Sequence, residues 1–157
     1  HDFQFTITGA PQWHNQRSSF ITIANYIKYG GVNGGDPNRK YNADWGLLNG
    51  EEYSMRRNYY HKPVMSLNWD WNISSASKLN TVVYASFGRG GGTGDTGSVG
   101  GKNFSNAAWR LPDGTANFDA IYAANAASTP TAGVLVRRAS INSHNWFGII
   151  SSFNQKN

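Results

Sequence analysis

NYYHKPVMSLNWDWNI, residues 58–73, decides how the chain is read. From Met65 the polarity alternates without a fault: Met65, Leu67, Trp69, Trp71 and Ile73 fall on one side, Ser66, Asn68, Asp70 and Asn72 on the other. Successive side chains of a strand point to opposite faces, so this strand has one apolar and one polar face. Nine residues at about 3.3 Å each, tilted by roughly 40°, rise about 23 Å, close to the apolar band of an outer-membrane barrel. Trp69 and Trp71 near one end suit an interfacial aromatic girdle. An edge strand of a soluble sandwich alternates in the same way.

The flanking chain repeats the pattern. Residues 2–8 alternate Phe3, Phe5 and Ile7 against Asp2, Gln4, Thr6 and Thr8, and Gly9-Ala10-Pro11 stops the ladder because Pro has no donor. Residues 78–87 alternate through Leu79, Thr81, Val83, Ala85 and Phe87, and a short polar link at 74–77 joins them to the opening strand as a hairpin. Residues 145–153 alternate too, but both sides carry apolar residues and the outward face stays open. Residues 18–29, SSFITIANYIKY, are β-prone with an impure pattern, and a strand is favoured over a short helix. Between these runs lie two long irregular stretches, 9–58 and 88–144, rich in Gly, Asn, Asp and Pro, with an Ala-rich piece at 118–127 that suits a short helix.

Strand, long loop, strand, tiny turn, strand, long loop, strand is an unusual rhythm for a soluble domain, where loops above about 15 residues are uncommon. Bacterial outer-membrane barrels have short periplasmic turns and long outer loops. Strands 2–8 and 78–87 would run outward, and 59–73 and 145–153 inward. Four strands in lipid leave two edges of unpaired N–H and C=O groups, at several kcal/mol apiece, and the total exceeds the roughly 5–15 kcal/mol a domain has to spare. The expectation is therefore all-β: about four strands of a large antiparallel transmembrane barrel, completed by others.

Composition narrows the classes. Of 157 residues 39% are hydrophobic and 15% charged, both below the usual share, yet aromatics reach 14% with six Trp. That profile suits lipid-facing surfaces and loop-rich binding proteins more than a soluble core. The net charge is +5, but Arg39-Lys40, Arg56-Arg57 and Arg137-Arg138 are scattered, so no nucleic-acid module is read. Without cysteine there are no disulfides or thiolate metal sites. His1, His14, His61 and His144 lack metal-ligand spacing, and the glycines at 88–94 lack the Lys-Ser/Thr and following helix of a phosphate loop. No complete catalytic constellation is visible, so neither an enzyme nor a cofactor is expected.

Several ordered motifs resemble the TonB-dependent receptors of Bacteroidota, the SusC-like transporters above all. They are GAPQWHNQR at 9–17, NADWG at 42–46, NGEE at 49–52, RNYYHKP at 57–63, SLN at 66–68, YASFGRGGGTG at 84–94 and NSHNWFG at 142–148. The resemblance spans nearly the whole chain. It implies an outer-membrane barrel of about 22 strands with an internal plug, importing a nutrient with energy relayed by TonB. It also implies a SusD-like surface lipoprotein over the mouth. These residues would be the early barrel strands and their outer loops, and the plug domain, TonB box and most strands would lie outside them. Met65, Leu67, Trp69, Trp71 and Ile73 would face lipid. Trp13, His14, Arg17, Asp44, Trp45, Tyr53, Arg56 and Trp109, in outer loops, are the candidate contacts to substrate or lipoprotein, since aromatic faces with polar neighbours stack on sugars or grip peptides. The other reading kept open is a soluble all-β carbohydrate-binding module using the same aromatics as a sugar platform.

Overall fold

The computed structural model describes residues 1–17, 20–30 and 36–156. In order, the elements are β1 (Asp2–Thr8), β2 (Gln12–Asn15), α1 (Ile23–Lys28), β3 (Trp45–Leu48), β4 (Glu51–Ser54), β5 (Arg57–His61), β6 (Val64–Asn72) and β7 (Ser77–Gly97). A 3-10 turn (Ala107–Trp109), β8 (Ala116–Asn117), α2 (Phe118–Ala126) and β9 (Leu135–Gln155) follow. Strand makes up 54% and helix 12%, so the class is all-β, in mainly antiparallel sheets. Contacts divide the chain into two units, residues 1–13, 59–91 and 141–157 in the first and 14–58 and 92–140 in the second.

The first unit is a sheet. β1 pairs antiparallel with β6 from Asp2↔Asp70 to Thr8↔Val64, and β6 with β7 from Val64↔Ser86 to Asn72↔Lys78. β9 pairs with the other side of β7. The β6–β7 connection is the tight polar link read from the sequence: Ile73 and Ser74 N–H both donate to the Ser77 carbonyl at 2.9 and 3.1 Å. The expected strand 59–73 is split into β5 and β6 at Lys62-Pro63, because Pro63 cannot donate to a ladder.

Two strands are longer than their alternation indicated. β7 runs on to Gly97 rather than ending at Phe87, and β9 begins at Leu135 rather than Asn145. The glycine-rich run read as loop is therefore largely strand. Glycine there leaves room for its neighbours: a Cβ on Gly88 would lie 2.3 Å from the His144 ring, and one on Gly148 2.3 Å from the Tyr84 ring, so either ring would have to shift. Each aromatic ring covers the bare backbone of the adjacent strand, a cross-strand arrangement that compensates for the missing side chain.

The second unit holds a core of Met55, Val99, Phe104, Trp109, Ala116, Phe118, Ile121 and Leu135. β3 and β4 form a hairpin closed by Asn49 (φ 52°) and Gly50 (φ 80°), the two positive-φ positions that a tight hairpin turn needs. β8 lies parallel to β3. α2 forms as expected from the Ala-rich piece, capped by the Asn117 side chain accepting from Ala120 N–H at 3.0 Å. The strand favoured at 18–29 is instead a helix over its second half, since the Thr22 hydroxyl caps α1 by accepting from Asn25 N–H at 3.2 Å. Residues 18 and 19 of that run, and 31–35, lie outside the described residues.

Candidate functional site

Alternation, carried through the register, sorts the side chains of the first unit onto two faces. On one lie Phe3, Phe5 and Ile7 of β1, beside Trp69, Leu67 and Met65 of β6, which in turn face Thr81, Val83 and Ala85 of β7. The Phe87 and Phe147 rings meet at 5.6 Å, and the Thr81 and Ser151 hydroxyls share a hydrogen bond of 2.9 Å. Both contacts settle the face left open for β9: Phe147, Ile149 and Phe153 belong to the apolar side.

This face is bare. Phe3, Phe5, Ile7, Leu67, Val83, Phe87, Phe147, Ile149 and Phe153 are 40–69% exposed, and no hydrophobic side chain among the described residues of this unit is buried. The exposed apolar area is on the order of 1,000 Å², against about 300–600 Å² for the largest patch of a typical soluble monomer. A shallow groove of about 510 Å³ runs across it, lined by Phe5, Met65, Leu67, Val83, Ala85 and Phe147. The opposite face carries Ser66, Asn68 and Asp70 beside Thr6, Gln4 and Asp2.

At the end bearing the β6–β7 turn, rings stack in a row. Trp69 lies 6.0 Å from Phe3 and 5.7 Å from Trp71, and His1 stacks on Trp71 at 5.2 Å. Trp69 Nε1 donates to His1 Nδ1 at 3.2 Å. Ile73, just past β6, is exposed beside the turn. The five residues read as lipid-facing thus sit on one side or at its turn end, as their spacing dictated.

The second unit brings charges together. Asp44, fully buried, has its Oδ1 3.4 Å from Arg56 Nε, and Arg56 Nη2 donates to Asp95 Oδ1 at 3.0 Å. Arg110 donates to the Ala43 carbonyl and, at 2.9 Å, to that of Phe104, with its Cζ 4.7 Å over the Phe104 ring. Burial pushes the Arg110 guanidinium below the ordinary arginine range, opposed by Tyr41 and Asp44. Burial likewise raises the Tyr41 phenol, opposed by Arg110, and its hydroxyl donates to the Gly114 carbonyl at 2.9 Å. A cavity of about 380 Å³ is lined by Tyr29, Tyr41, Phe104, Arg56, Asp95 and Arg110. Two guanidinium groups beside two carboxylates leave it close to neutral, suited to a polar uncharged group.

The eight candidate contacts separate here. Arg56 and Asp44 come together, and Arg56 reaches the cavity. Asp44 is a buried ion-pair partner rather than a surface group, because its carboxylate is sealed against Arg56. Trp109 is likewise in the core, its Nε1 donating to the Lys102 carbonyl at 3.4 Å, so it offers no open ring face. Tyr53 lies edge-on to Phe118 at 4.7 Å, with the Arg137 guanidinium 4.4 Å over its ring. Trp45 is half-buried in β3. Arg17 holds the carbonyls of Arg39 and Tyr41 at 3.0 and 3.1 Å. Trp13 and His14, in β2, are exposed. Asp95, Arg110, Tyr41 and Tyr29, which no local pattern singled out, complete the cavity. Among the described residues no three His, Asp or Glu side chains gather as a metal site.

No protein-family model, curated protein or solved structure matches the chain.

Proposed function

We propose that the chain is a barrel segment of a TonB-dependent outer-membrane transporter of the SusC-like kind, importing a glycan or peptide nutrient. One observation carries the reading: a continuous apolar face spans four antiparallel strands with no protein layer over it. Hydrocarbon is the solvent in which such a face is stable, and an alternating strand with an apolar outside and polar inside is how a barrel wall is built. The stacked rings beside the short β6–β7 turn match the periplasmic girdle of that architecture. The residues that leave the sheet at the strand ends away from this turn would then be extracellular.

In this reading Met65, Leu67, Trp69 and Trp71 face lipid, and Ser66, Asn68, Asp70 and Asn72 face the lumen or plug. β1 and β9 each carry an edge that further strands must cover, since an unpaired N–H or C=O in hydrocarbon costs several kcal/mol. The remaining barrel, its plug, TonB acting through that plug and a SusD-like lipoprotein are the partners. The second unit, with its own core, is the extracellular part, and its cavity is a candidate contact for the solute.

Membrane extraction tests this directly. Membranes from producing cells are washed with high salt and alkaline carbonate, then with non-ionic detergent. The protein should stay with the washed membranes and leave only in detergent. Recovery as a folded monomer in the aqueous wash would contradict the reading and favour a soluble carbohydrate-binding module.

A further inference from the structure

The cavity of the second unit is lined by residues of that unit alone. Asn25 of α1, Arg56 just before β5, Asp95 of β7, and Ser105 and Arg110 on either side of the 3-10 turn supply its polar wall. Its volume of about 380 Å³ falls within the roughly 300–1,000 Å³ of sites that hold a small molecule. The charged groups in the wall are held before any ligand arrives. Arg56 Nη2 donates to Asp95 Oδ1 at 3.0 Å, and Arg110 donates to the Ala43 carbonyl and, at 2.9 Å, to that of Phe104. Each keeps capacity beyond those bonds, since a guanidinium has five N–H donors and a carboxylate about four acceptor positions.

An anion entering would meet Asp95, and a cation would meet two guanidinium groups, so neither charge is favoured. A hydroxyl donates and accepts at once: it can take an N–H from Arg56 or Arg110 and give its own proton to Asp95. The aromatic side chains of the wall differ in access. Tyr41 and Phe104 are buried, and Arg110 lies over the Phe104 ring. Phe20 is fully exposed, so it stands at the rim with its ring uncovered. An uncovered ring beside balanced donors and acceptors fits a molecule with an apolar C–H face and a hydroxylated edge, which is the make-up of a sugar ring. A peptide is recognised differently, as an added strand at a free sheet edge or as a helix or proline-rich segment in a long groove.

We propose that this cavity binds a ring of a neutral glycan, stacked on Phe20 and hydrogen-bonded by Asp95, Arg56 and Arg110. This rests on the uptake reading above for the role of the solute. It narrows that solute from a glycan or peptide to a neutral glycan, held by the second unit without a partner chain.

The test presents the full chain, from the detergent extract or the aqueous wash in which it is recovered, to an array of immobilised neutral oligosaccharides, sialylated and uronate-bearing oligosaccharides, and peptides. Binding should fall on neutral oligosaccharides. Phe20→Ala, at a side chain fully exposed in the free protein, should weaken that binding about tenfold, and Asp95→Asn should weaken it further. No binding to any neutral oligosaccharide, a preference for the acidic ones or for peptides, or binding that Phe20→Ala leaves unchanged would overturn the proposal. Because Asp95 also holds Arg56, Phe20→Ala decides the matter even where Asp95→Asn does not fold. A membrane-extracted chain that binds no sugar defeats this inference alone. A chain that binds neutral sugar but is recovered in the aqueous wash defeats the membrane reading and leaves the cavity's ligand standing.

Discussion

The two units dispose of their aromatic residues in opposite ways. In the second, Phe104 and Phe118 are each 3% exposed and stack at 5.9 Å inside a closed core. In the first, Phe5 and Phe147 are 64% and 68% exposed, and among the described residues of that unit no hydrophobic side chain is buried. One chain thus contains a unit with a closed core and a sheet with an exposed apolar face. Burying a Phe fully contributes about 1.5–3 kcal/mol, so a face left bare in water forgoes an amount comparable to the margin of an ordinary domain. That difference is what the proposed lipid contact of the sheet would account for.

The sharpest way to break the comparison is to damage each part by its own logic. Phe118→Ala should cost about 3–5 kcal/mol in the second unit, because the cavity left in a closed core adds to the lost burial. Amide hydrogen exchange should then quicken in β3, β4 and α2 while the β6–β7 hairpin keeps its protection. Equal loss in both would show a single cooperative body. In the sheet, the informative pair is Leu67→Arg and Asn68→Arg. A cation on a lipid face near mid-membrane costs about 2–4 kcal/mol, and one on the lumen face far less. Only the first should lower the yield of heat-stable, membrane-extracted protein; equal effects would remove the distinction between the faces.

Gly148→Val probes the ring-over-glycine contact. The added side chain would displace the Tyr84 ring that lies over Gly148, and overpacking of this kind costs about 1–3 kcal/mol. The expected result is a lower unfolding midpoint in denaturant that is recovered when Tyr84→Ala is added. The smallest effect is that of Tyr41. Burial holds its phenol above the ordinary 10.0, so the folded chain keeps this proton more tightly than the unfolded chain does. Its contribution is full below pH 10 and is lost as the pH climbs through the raised value. Tyr41→Phe should cost about 1 kcal/mol at neutral pH through the lost bond to Gly114 and should flatten the alkaline fall in stability.

The sheet was the legible part of this chain. Met65 to Trp71 alternate strictly, the 74–77 link is short, and those two facts set the β6–β7 register. What alternation cannot carry is a strand without side chains. Gly88 to Gly94 reads as loop by composition, and its place in the sheet shows only in the neighbours it meets, the His144 ring at Gly88 and the Tyr59–Tyr60 backbone at Gly90. The β3–β4 hairpin did leave a signal, Asn49-Gly50, but its second strand opens with Glu51-Glu52 and hides among polar neighbours. Arg56 meets Asp95 39 positions away, and Arg110 meets the Ala43 carbonyl 67 positions away. No local pattern encodes such contacts. The β6–β7 hairpin came through, whereas the strands inside the stretches 9–58 and 88–144, and the cavity, did not.

Fluorescence quenching by bromine carried on lipid acyl chains tests the central claim most directly. Single-tryptophan variants retaining Trp69, Trp71 or Trp109 would be compared in reconstituted bilayers. Trp69 and Trp71 should be quenched, most strongly by bromine near the headgroup end of the chain, while Trp109 in its closed core should not respond. Trp69 and Trp71 as unresponsive as Trp109 would contradict the account, since the apolar face would then have no contact with lipid.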